Sequence, residues 1–64
     1  MNIGIEGELD AIARAVRGIE FAYEHQNQTI MRAIVETLAS RPGSPLANAV
    51  GRALREELQK HDMI

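Results

Sequence analysis

The chain contains no cysteine, which excludes disulfides and thiolate metal sites. That absence fits a reducing compartment, and the expected setting is cytoplasmic. No apolar run approaches the roughly 20 residues needed to span a bilayer, so no membrane association is expected. The opening Met1-Asn2-Ile3-Gly4-Ile5-Glu6 lacks the basic and long apolar regions of a secretory signal. Asn2 stands where N-myristoylation requires glycine. Tryptophan is missing, and Phe21 and Tyr23 are the aromatics. The net charge of −2 gives no general attraction to nucleic acid or anionic lipid. His25 and His61 are far apart and show no HExxH-type spacing. Glu56, Glu57 and His61 read as solvated groups at a helix end, so neither a metal nor a cofactor is expected. No nucleophile is paired with a base, and a non-enzymatic protein is expected.

Both prolines fall in one segment, Ser40-Arg41-Pro42-Gly43-Ser44-Pro45. Proline disfavours helical geometry in the residue before it, so a helix should end near Ser40. Ser44 followed by Pro45 reads as an N-cap with proline in the first helical position. The remainder is rich in Ala, Leu, Ile, Glu and Arg, all compatible with helix.

Upstream of that break, Ile5, Leu9, Ile12, Val16, Ile19, Tyr23, Gln26, Ile30, Ala33 and Thr37 recur at helical spacings of four and three. A neighbouring stripe of Met31, Ile34 and Leu38 takes over where the first weakens. Glu6, Glu8 and Asp10 suit a first turn, where the helix dipole favours acids. Downstream, Leu46, Val50, Leu54 and Leu58 repeat every four residues, with Ala47, Gly51 and Ala53 beside them. Asp10–Arg14, Arg32–Glu36, Arg52–Glu56 and Glu56–Lys60 are expected i,i+4 pairs. His25-Gln26-Asn27-Gln28-Thr29 is a polar run without glycine or proline. It reads as an exposed turn of a continuous helix in preference to a break. The fold class is therefore all-α: a helical hairpin in a single domain, 1–64, with a long helix at about 6–40 and a short one at about 45–60.

The unequal helix lengths lead to self-association. A helix over 6–40 would span about 50 Å and one over 45–60 only about 24 Å. The first half of the long helix then overhangs, exposing the clean stripe Ile5, Leu9, Ile12, Val16, Ile19 and Tyr23. Leaving such side chains wet forfeits about 1.5–3 kcal/mol each. A chain of this size has little stability in reserve. A second copy covering the stripe gives a helix-bundle oligomer, most simply a homodimer. The competing reading is a three-helix monomer folded at residues 25–29, which covers the same stripe internally.

A second face at the same spacing holds Arg14, Arg17, Phe21, His25, Gln28, Arg32 and Val35. Aromatic and arginine side chains dominate protein-binding hot spots, so Arg14, Arg17, Phe21, His25, Gln28 and Arg32 are the candidate partner-binding residues. The competing reading makes Phe21 and Val35 a packing seam. A further alternative is an anion site for nucleotide or nucleic acid, built from the arginines and the histidine. A helix-turn-helix reading would present Asn48, Arg52 and Arg55. The net acidity and the Pro-Gly-Ser-Pro turn argue against it. The expected function is a small homo-oligomeric protein-binding module, an adaptor or inhibitor. Chain size and simplicity suggest a phage or other mobile-element origin, by architectural analogy alone.

Overall fold

The computed structural model describes the backbone from Ile3 to Ile64 and the side chains from Glu6 onward. The side chain of Ile5, a predicted interface residue, thus lies outside the described residues. Among the described residues there are three helices and no strand: α1 (Ile3–Glu24), α2 (Gln28–Ala39) and α3 (Pro45–Lys60). The expected continuous helix over 6–40 is thereby corrected. His25, Gln26 and Asn27 form a reversal, and α2 runs back along α1.

The reversal is built without glycine. Gln26 takes the left-handed conformation at φ 51°. Its amide donates to the Tyr23 carbonyl at 3.1 Å, and the Asn27 amide reaches the Ala22 carbonyl at 2.8 Å. This pair of bonds is a Schellman cap, which satisfies carbonyls left open at the end of α1. Asn27 then starts the next helix, its side-chain oxygen accepting from the Ile30 amide at 3.0 Å. The polar run is a C-cap and an N-cap placed back to back.

α3 begins at Pro45, as the sequence predicts, but Ser44 does not cap it with its side chain. The Ser44 hydroxyl instead accepts from the Arg41 guanidinium and donates to the Pro42 carbonyl. The cap comes from α1. The buried Glu8 carboxylate accepts from the Leu46 and Ala47 amides at 2.7 and 3.1 Å. A negative charge at a helix N-terminus is favourable twice, through these bonds and through the dipole. Glu8 thus serves the start of α3 and not that of its own helix. The far end of α3 repeats the first reversal. Asp62 is left-handed at φ 57°, and the Met63 amide reaches the Leu58 carbonyl at 2.7 Å.

α2 lies antiparallel to both neighbours, so α1 and α3 run parallel. The pairings fix this: Gly18 faces Ile34, Glu8 meets Leu46 and Ala47, and Asn48 Nδ2 donates to the Leu38 and Arg41 carbonyls at 3.0 Å each. Met31, Val35 and Leu38 of α2 and Ala47 of α3 are buried. Burial of Met31, Val35 and Leu38 stabilises by about 1.5–3 kcal/mol each. The predicted pairing of Arg32 with Glu36 is replaced by a bond between helices, Arg55 Nη1 to Glu36 at 2.7 Å. Lys60 pairs with Glu57 at 3.5 Å, and not with Glu56 as expected. Asp10–Arg14 forms at 3.1 Å. α1 and α3 touch each other less than either touches α2, and the Cα trace measures 39 × 19 × 14 Å. No described helix is long and apolar enough to cross a membrane.

Candidate interaction surfaces

α1 turns its small residues inward. Ala11, Ala15, Gly18 and Ala22 follow one another at helical spacing, and Ala15 and Ala22 are buried. With so little side chain between the axes, α2 comes close. A Cβ added at Gly18 would stand 2.7 Å from Ile34 Cδ1. The large aliphatic stripe read from the sequence lies next to this face, turned toward α3. Ile12 and Ile19 are half-buried, with Ile12 packed against the core of Ala15, Leu38 and Ala47. Leu9, Val16 and Tyr23 are exposed at 54%, 41% and 60%.

The fold therefore covers part of the predicted interface and leaves the rest open. Folding back at His25–Asn27 removes the length mismatch from which the overhang was argued. It does not remove the exposed apolar surface. On α3, Leu46 is also exposed, and Val50 and Leu54 are half-buried against the core of Ala15, Leu38 and Ala47. Leu9, Val16 and Tyr23, seven residues apart in turn, form an exposed apolar ridge along α1.

The second predicted face does not survive as one face. It needed a straight helix through residues 14–35, and the reversal ends α1 after Glu24. Arg14, Arg17 and Phe21 remain on α1. Gln28 and Arg32 belong to α2, and Val35 is fully buried in the core. Phe21 and Val35 form no common packing seam within the chain, because Val35 is core and Phe21 is 54% exposed. Phe21 and His25 stack with ring centroids 4.0 Å apart and planes at 26°. The His25 Nδ1–H donates to the Phe21 carbonyl at 2.8 Å, fixing the ring over the end of α1. Arg14 is engaged with Asp10, and Gln28 Nε2 donates to the Asp62 carbonyl at 3.4 Å. The straight single-helix face on which an anion site was drawn is thus not formed, since Arg14 and Arg17 lie in α1 and Arg32 in α2.

On the flank of α1 away from the ridge, α1 and α2 enclose an open groove of about 470 Å³. Ala11, Ala15, Ile34 and Leu38 line it, with Asp10, Arg14 and Arg41 among its polar borders. Sequence reading missed this groove, because it exists only once α2 folds back. The signal available was the alanine spacing on α1. Among the described residues, no three His, Cys, Asp or Glu groups converge as a metal site would require. No family model, curated protein or solved structure matches the chain.

Proposed function

We propose that this chain is a small, non-enzymatic, homo-oligomeric protein-binding module of the cytoplasm, an adaptor or inhibitor. One observation carries the reading. The helix that could have buried Leu9, Val16 and Tyr23 buries alanines in their place and holds the larger groups in solvent. Contiguous exposed apolar surface marks interaction sites in soluble proteins. Covering these side chains recovers about 25 cal/mol for each Å² of apolar area removed from water. A 64-residue chain has few other sources of stability once disulfides are excluded. Phe21, stacked on His25 and flanked by Arg17, remains a separate aromatic anchor suited to a heterologous protein.

Light scattering at micromolar concentration tests the reading. The wild-type protein is expected at a multiple of its 7.1 kDa chain mass. Leu9→Glu, which places a charge on the ridge at an exposed site, should shift the protein toward the monomer while preserving helical circular dichroism. A wild-type protein that stays monomeric, with a melt independent of concentration, overturns the proposal.

A further inference from the structure

The same helix carries an apolar ridge on one flank and one wall of an apolar groove on the other. On α1 the groove runs from Gly7 to Ala15, a length of about 12 Å. The ridge from Leu9 to Val16 is about 10 Å long. Their charges are of opposite sense. Beside the ridge, α1 exposes Glu6, Glu20, Glu24 and Arg17, its other exposed charges, Asp10 and Arg14, being paired with each other at the groove. At the groove, Arg14 is neutralised by Asp10, and Arg41 adds a positive charge.

We infer that copies of this chain associate head to tail, the α1 ridge of one molecule seated in the α1–α2 groove of the next. This rests on the self-association proposed above and specifies its geometry. A ridge-on-ridge dimer would bring two acidic borders together and leave both grooves empty. Ridge in groove brings the acidic border toward Arg41 and fills the groove with Leu9 and Val16. The small residues lining the groove, Gly7, Ala11, Ala15 and Ala33, allow the incoming helix to approach closely. Such a contact is heterologous. It does not close on itself after two copies, and it yields a ring or an open filament according to the rotation per step.

Two substitutions at exposed positions decide the matter. Val16→Glu spoils the ridge and keeps the groove. Ala33→Glu puts a carboxylate in the groove wall, opposed to the acidic border of an incoming ridge, and keeps the ridge. Each is to be measured by light scattering and circular dichroism, alone and in a 1:1 mixture. Thr37→Glu serves as a second groove variant, should Ala33→Glu lose its helical signal. The expected result is an assembly larger than a dimer for the wild type and monomers for either variant alone. The mixture should form a 1:1 heterodimer, joined through the one remaining intact ridge and intact groove. If the groove variants assemble as the wild type does, the head-to-tail geometry is overturned and self-association stands. Two monomeric variants that do not combine on mixing also overturn it. A wild type that is monomeric throughout overturns both proposals.

Discussion

The two seams on either side of α2 are built differently. Toward α3 the backbones themselves meet. A Cβ placed on Gly51 would fall 2.4 Å from the Ala39 nitrogen and 2.6 Å from its Cα. Asn48 closes the end of α2, and Arg55 bonds to Glu36 across the outside. Toward α1 the closest approach to Gly18 is the tip of one flexible side chain, Ile34, and an open groove lies alongside. Both seams use a glycine, but one glycine faces backbone and the other faces a rotatable methyl group. The lesson is that α2 and α3 meet backbone to backbone, whereas α1 packs on them through side chains and beside an open groove.

The largest expected effect breaks the backbone-to-backbone seam. Gly51→Ala has no side chain to displace, so the two helices must separate. A net loss of about 3 kcal/mol is expected from overpacking against backbone, which outweighs the gain of up to about 1 kcal/mol in helix propensity that alanine brings here as at Gly18. It is read as a lower denaturation midpoint with an unchanged slope. Next comes the cap that α1 lends to the tight pair. Glu8→Ala leaves the part-buried Leu46 amide and the buried Ala47 amide without their charged acceptor, at a cost of about 2 kcal/mol. Glu8→Gln, which can still offer an oxygen, should recover part of it. Urea denaturation of both variants checks this. A Glu8→Ala protein as stable as the wild type would show that α3 is capped some other way. The smallest effect tests the loose seam. Gly18→Ala gains up to about 1 kcal/mol of helix propensity. Moving Ile34 off its rotamer costs about as much, so the stability should change by less than about 0.5 kcal/mol. If Gly18→Ala destabilises as much as Gly51→Ala, the two seams are equivalent and the comparison fails.

The legible and illegible parts of this fold follow the same distinction between local and distant causes. The start of α3 was readable at Pro45 because proline acts on its own residue and the one before it. The reversal at His25–Asn27 was not, because its left-handed residue is a glutamine, which carries no strong preference for that conformation. The one local sign was Asn27, an N-cap residue three positions before the amide it holds at Ile30. Periodicity placed Leu9, Val16 and Tyr23 on one face, and the length argument left that face uncovered, but for a reason other than the one the fold supplies. Ala11, Ala15, Gly18 and Ala22 keep an equally regular spacing, and close helix approach made theirs the buried one. Phe21 and Val35 shared a predicted face only while the helix was taken as straight. With the bend between them, one is core and the other is surface. The role of Glu8 was beyond sequence reading, since its partners lie 38 and 39 positions away.

That last separation bears on the order in which the molecule assembles. The carboxylate that completes the final helix is carried by the first. During synthesis, Glu8 leaves the ribosome long before the amides it will hold. The α2–α3 pair can form its local contacts, but the Leu46 and Ala47 amides gain their carboxylate acceptor only when α1 docks. Amide hydrogen exchange at Leu46 and Ala47 thereby becomes a gauge of α1. Any event that lifts α1 from the pair, whether thermal opening or capture by another surface, unlocks those two amides at a distance in sequence from the helix that moved.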